Sequence, residues 1–128
     1  MAEVTVAELR HARLMGSKDF EGFDLSDLNL SGVGWLKGCT LDGADLSGTN
    51  LSATDLRSTS FRDAELVGAN LSGADLRLAD FRGADLTRAD LEGANRAGAV
   101  FNPTTRSRSR VGERLPTAWA QIVTAPAR

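Results

Sequence analysis

Few residues in this 128-residue chain could do chemistry, and most of those that could are carboxylates. His11 and Cys39 are the sole imidazole and thiol. No nucleophile–base pair, phosphate-cradling loop or metal-ligand cluster can be assembled around them. His11 falls in a segment with helix-start signals and reads as solvent-facing. Cys39 stands at an inward position that other repeats fill with small residues, where a buried thiol is inert. The acidic and amide side chains, by contrast, recur in step. Asp24, Asp45, Glu65 and Asp85 form one series, and Asn29, Asn50, Asn70 and Asp90 another. Stacked carboxylates suit recognition of a basic partner, and stacked asparagines suit side-chain amide ladders. Neither arrangement is a catalytic site. The chain reads as a non-enzyme with no cofactor, no bound metal and no catalytic residue.

A five-residue period positions these series. Its anchors are Leu41, Leu46, Leu51, Leu56, Phe61, Leu66, Leu71, Leu76, Phe81, Leu86 and Leu91, with a small residue such as Ala44, Thr49 or Ala74 two places before each. On an α-helix a step of five turns about 140° net, so the leucines would spiral and form no stripe. On a strand, residues i and i−2 share a face, which directs the Leu/Ala pair inward and the intervening Asp or Asn outward. The two remaining positions must turn the chain. Gly43, Gly48, Gly68 and Gly73 occupy the second of them. Fixed-period repetition of this kind marks a solenoid. Its interior should hold one layer of Leu or Phe and one of Ala or similar residues.

The pattern, quoted as Ala44-Asp45-Leu46-Ser47-Gly48, Ala69-Asn70-Leu71-Ser72-Gly73 and Ala84-Asp85-Leu86-Thr87-Arg88, resembles the pentapeptide-repeat family. The resemblance covers roughly residues 20–102. It implies an all-β solenoid, a right-handed quadrilateral β-helix with four pentapeptides per coil and about four coils here.

The chain supplies its own support for four sides. Phe61, Phe81 and Phe101 are twenty residues apart and would stack on one face. Phe20, Leu25, Leu30 and Trp35 keep the five-residue step but lie one residue out of phase with Leu41 onward. One extra residue near Gly34-Trp35-Leu36 restores the phase, as a local bulge or widened corner. Phe20 then shares a column with Leu41, Phe61, Phe81 and Phe101, and the expected core anchors run from Phe20, Leu25 and Leu30 through Leu91 to Phe101. Arg96 in an anchor place suggests that the core is running out, and Asn102-Pro103 is expected to end the coil.

The flanks read as caps. Residues 1–16 carry the capping-box pattern Thr5-Val6-Ala7-Glu8, apolar Leu9, Ala12 and Leu14, and Gly16 as a stop, so a short helix should cover the first coil. Residues 17–102 form the repeat domain. Residues 103–128 form a basic linker, then Pro116 and the helical spacing of Leu115, Trp119 and Ile122. That segment suits a cap or a homodimer contact. No apolar run approaches the ~20 residues of a membrane span and no signal-peptide pattern opens the chain, so no membrane contact and a cytoplasmic location are expected.

The net charge of −2 conceals a rod of −6 over residues 17–102 and a tail of +4 beyond it. The tail arginines lack interleaved aromatics, so no direct nucleic-acid binding is expected. The first expectation for function is a non-catalytic scaffold for an unidentified protein partner. The family resemblance implies an alternative, because some members associated with fluoroquinolone resistance mimic duplex DNA and bind DNA gyrase. B-DNA carries one charge per ~1.7 Å. A net of −6 over four coils at ~4.8 Å spacing is roughly half that density, and only the Asp24, Asp45, Glu65, Asp85 column is acidic at every level.

Overall fold

A side of five residues has three that can extend and two that must turn, which leaves five N–H groups per repeat to be satisfied. The computed structural model describes residues 4–101 and the backbone of 106–108, and the accounting there is nearly complete. In the repeat around Leu46, the anchor N–H donates to Glu65 O in the next coil at 2.7 Å, and Gly48 N–H donates to Val67 O at 3.0 Å. Asp45 N–H donates back to Phe23 O in the preceding coil at 2.9 Å, and Thr49 N–H closes the turn on Leu46 O at 3.1 Å. The fifth group, Ser47 N–H, has no backbone acceptor and goes to Asp45 Oδ1 at 3.0 Å. The same bond recurs from Ser31 to Asn29, Ser52 to Asn50, Ser72 to Asn70, Arg77 to Asp75, Thr87 to Asp85 and Glu92 to Asp90. Asp or Asn is therefore favoured before each anchor, because a short side-chain oxygen there can reach back to the turn.

The turns have a left-handed third residue, the type II pattern, with Gly48 at φ 67°. Asp27, Ala53, Ser58, Asp63, Leu78 and Arg88 take the same conformation at φ between 54° and 62°, at a steric cost glycine would not incur. At Gly83 space matters as well as dihedral angle. A Cβ there would run into Asp63 Oδ1 in the coil below.

Parallel bridges stack the sides into four columns, Asp19–Thr40–Ser60–Asp80–Val100, Asp24–Asp45–Glu65–Asp85, Asn29–Asn50–Asn70–Asp90 and Asp55–Asp75–Asn95. Apart from Arg96 after Asn95, the anchor after each bridging residue packs in or against the core. Phe20, Leu41, Phe61, Phe81 and Phe101 thus form one column, in which Phe61, Phe81 and Phe101 stack at 4.8 and 5.2 Å.

The first level steps by twenty-one residues and the later ones by twenty. Val33 O and Gly38 N–H, which frame the fourth side, enclose one residue more than Leu28 O and Gly32 N–H do on the third. Leu36 takes the anchor place and is fully buried, whereas Trp35, which the five-residue step puts there, is half-buried. The phase is therefore restored at Leu36, one repeat before Leu41, because a leucine fits the narrow interior and an indole does not. The bulge exposes Trp35 O, which accepts from Arg13 Nε at 3.0 Å and from the Cys39 thiol at 3.7 Å.

Phe20 through Leu86 are buried at every anchor, but Leu91 is only half-buried. It lies on the last level, and among the described residues no further coil covers it. Backbone pairing also carries past Asn102-Pro103. Strand β2 (Arg106–Arg108) pairs in parallel with β1 (Asp85–Thr87), with Arg106 opposite Asp85. Apolar anchors have ended by then, yet ladder bonds need only extended backbone.

Helix α1 (Val6–Leu14) covers the open first coil with buried Leu9. Thr5 and Glu8 form a capping box, with Thr5 N–H to Glu8 Oε1 at 2.9 Å and Glu8 N–H to Thr5 Oγ1 at 3.1 Å. Gly16 and Ser17 N–H return to Arg13 and Ala12 O, a Schellman stop at φ 101°. Phe23, Leu28 and Val33 replace alanine at this end, where no coil below limits their size. The segment holding Leu115, Trp119 and Ile122 lies outside the described residues.

Candidate interaction surface

With the interior filled by packing, chemistry is confined to outward columns and corners. Asp24, Asp45, Glu65 and Asp85 stand in line on one face, bridged level to level. Three of the four are not simply solvated. Asp24 Oδ1 accepts from Ser26 N–H at 3.1 Å and Ser26 Oγ–H at 2.6 Å, and Asp45 and Asp85 hold their own turns in the same way. The Ser26 hydroxyl, with help from its N–H, holds the Asp24 carboxyl below its ordinary value. At the fifth level the register places Arg106, so the acidic line does not extend.

Glu65 is the exception. It is exposed, and among the described residues Val67 N–H has no acceptor. Its extra methylene carries the carboxylate past the position from which Asp reaches the turn. Glu65→Asp should therefore raise stability by about 0.5–1.5 kcal/mol at unchanged charge, one hydrogen bond's net contribution. Matched urea unfolding curves would check it, and an unchanged or lower midpoint would remove this explanation for the Asp/Asn preference.

The asparagine face forms no amide ladder among the described residues. Asn50 and Asn70 Oδ1 each accept from the following serine's N–H and Oγ–H, at 2.6 to 3.1 Å. The local turn bonds take the oxygen a ladder would use.

On the face opposite the acidic column, charges are paired within each repeat. Arg57 Nε and Nη2 donate to Asp55 at 2.9 and 2.8 Å, and Arg77 does the same to Asp75 at 2.9 and 2.6 Å. The Arg57 hydrogen bonds hold Asp55 at about 2, below its ordinary 3.8. Asp75 is lowered chiefly by Arg77. At Asp80 burial pushes the carboxyl up, but bonds from Arg82 more than offset this and leave it lowered.

A carboxyl lowered in the fold binds fewer protons than in the unfolded chain, so these pairs stabilise fully above the unfolded value near ~3.9. That contribution is lost as pH falls through about 2 for Asp55. Urea midpoints should stay level from about pH 8 to 5 and drop between about pH 4 and 2. Asp55→Asn, which keeps the Oδ1 acceptor, should make the acid limb shallower. An unaltered slope would show that the pair adds nothing.

His11 is exposed on α1, and burial pushes the Cys39 thiol up, away from reactivity. Among the described residues no group of three or more His, Cys, Asp or Glu is placed to hold a metal ion. No helix there is long and apolar enough to cross a membrane.

A family model described as pentapeptide repeats matches residues 35–73 and 59–95, in eight copies. The structure of alr5209, a pentapeptide-repeat protein from Nostoc PCC 7120, is 35% identical over 80% of this chain and 84% of its own, with a TM-score of 0.50. The chain belongs to the pentapeptide-repeat family. Its four-sided stack is thus the family's right-handed quadrilateral β-helix. HetL, a pentapeptide-repeat protein involved in heterocyst differentiation regulation in Nostoc sp. strain PCC 7120, is 26% identical with a TM-score of 0.55. That alignment covers 83% of this chain and 58% of HetL, somewhat over half its length. QnrB1, a plasmid-mediated fluoroquinolone resistance protein, matches in a trypsin-treated R167E form at 25% identity and a TM-score of 0.61, over 70% of this chain and 53% of that one. None of the curated proteins matches this sequence.

Proposed function

We propose that this pentapeptide-repeat protein is a non-catalytic scaffold that binds a protein partner through its outer faces. The observation that carries the reading is the division of labour in the repeat. Anchors and small residues are consumed by the core, most Asp and Asn oxygens by the turns, and what varies between levels is the outward charge. An acidic column on one side and a paired, arginine-bearing face on the other make the two sides distinct to a partner. Affinity capture with tagged protein, using chemical crosslinking and mass spectrometry, should recover one protein in stoichiometric amount. Recovery of none under native salt would sink the scaffold reading.

A second reading, a DNA-mimicking DNA gyrase-binding protein involved in fluoroquinolone resistance, draws support from the likeness to QnrB1 and from the in-line Asp24, Asp45, Glu65 and Asp85. The short acidic run and the arginine at its next level favour the scaffold. Purified protein is expected not to inhibit gyrase supercoiling at micromolar concentration. Inhibition that disappears in the D24N/D45N/E65Q/D85N variant would replace the scaffold with the mimic. Each aspartate-to-asparagine change in that variant removes a charge but keeps the side-chain oxygen that accepts from the turn.

A further inference from the structure

We infer that the corner following the Leu56 face is a docking groove for an acidic helical segment of a partner protein, an inference that rests on the scaffold reading. Lys37, Arg57 and Arg77 occupy the same corner position in three successive coils. Gly38 N–H bonds to Arg57 O and Ser58 N–H to Arg77 O, each at 3.0 Å. With Ser58, Leu78 and Ala97 they line an open groove of about 510 Å³.

The cations are held ready. Arg57 and Arg77 each commit Nε and Nη2 to an aspartate of their own repeat, while Nη1 makes no bond among the described residues. A guanidinium already fixed in place loses little freedom when a carboxylate arrives. Lys37 is exposed and makes no ion pair within 4.0 Å among the described residues, although its charge helps to lower the Asp55 carboxyl.

Leu78 supplies the second observation. The residue is 64% exposed and its φ is 62°, so neither burial nor backbone preference favours leucine there. Glycine fills the equivalent corner at Gly38 and Gly98. A strained, exposed leucine beside two immobilised arginines is the composition of a contact surface.

The spacing selects the occupant. Successive coils put the three cations at about 0, 4.8 and 9.6 Å along the axis. Carboxylates at i, i+3 and i+7 of an α-helix rise by about 0, 4.5 and 10.5 Å, within reach of flexible side chains. Same-side residues of an extended strand recur at about 6.8 Å and fall out of step by the second level. An apolar residue at i+4 of the helix rises about 6.0 Å, between the second and third carboxylates, and its side chain extends from there towards Leu78 on the third level.

The test is fluorescence anisotropy of the full chain with a labelled, Ala-based helical peptide of about 18 residues, long enough to hold its helix. It carries Glu at i, i+3 and i+7 and Leu at i+4. Its control has the same composition scrambled so that the glutamates share no face. The ordered peptide should bind, and the scrambled one at least fivefold more weakly. Lys37→Glu and Leu78→Gly should each weaken binding at least fivefold. Leu78→Gly should fold normally, since glycine adopts the left-handed turn without strain, and its circular dichroism and urea midpoint would confirm this. No binding up to about 500 μM, a threshold near the weakest useful affinity, would overturn the groove. Equal binding of the two peptides, or binding by the two variants as tight as the parent's, would overturn it as well. Sedimentation showing self-association that Leu78→Gly abolishes would replace the helix with a second copy of this chain. If a captured partner is retained equally by both variants, the scaffold reading stands and the groove alone fails.

Discussion

Phe81→Ala is expected to lower unfolding free energy by about 3–5 kcal/mol, the largest single effect in the molecule. Phe81 is fully buried and its ring stacks on both sides, against Phe61 at 4.8 Å and Phe101 at 5.2 Å, nearly parallel to each. The substitution removes the burial of an aromatic side chain and both stacking contacts, which add about 0.5–1.5 kcal/mol per pair. Collapse cannot refill the space, because the ladder fixes the levels above and below through Phe61 N–H to Asp80 O at 2.7 Å and Phe81 N–H to Val100 O at 2.8 Å. Leu91→Ala, at a half-buried anchor, should cost clearly less. Urea unfolding of both variants would decide. Equal losses would mean that the column does not carry the stability assigned to it.

That column was legible in the sequence because its signal is redundant. A period of five recurs at every anchor, and the phenylalanines twenty apart close the square independently. What was less legible depended on which atom satisfies which. The Asp/Asn preference was visible, but periodicity cannot say that these oxygens serve the turn N–H two residues on and not a solvated face or an amide ladder. The cue lay in the side chain's length, since Glu65 keeps the charge and loses the bond. Trp35 and Leu36 are adjacent and both apolar, so spacing alone could not choose between them. Steric room in the core did. The pairing of Arg106 with Asp85 was hidden for the opposite reason, because ladder bonds leave no mark on side-chain pattern. The charged columns themselves follow directly from the twenty-residue step. What binds them does not, since a column of charge specifies a complementary sign and spacing but no identity.

Ala74→Leu is the converse of the phenylalanine substitution, and it probes the inner layer of small residues. Ala74 is 1% exposed and lies in a column between Thr54 on the level below and Ala94 on the level above. The links are Asp75 N–H to Thr54 O and Asn95 N–H to Ala74 O, each at 3.0 Å, so the levels cannot part without breaking ladder bonds. Thr54 is itself pinned, with its Oγ1 donating to Leu30 O at 2.9 Å. The added carbons therefore have no free volume to enter, and overpacking of this kind costs about 1–3 kcal/mol. The first coil shows that the limit is one of position. Phe23, Leu28 and Val33 occupy the same place in the repeat, where no level lies beneath them. Ala94, half-buried near the other end, should accept leucine with much less loss. A destabilised Ala74→Leu beside a near-neutral Ala94→Leu is the expected pair of urea midpoints. Equal tolerance at both sites would mean that the interior is wider than the ladder allows, and that the alanine layer reflects something other than space.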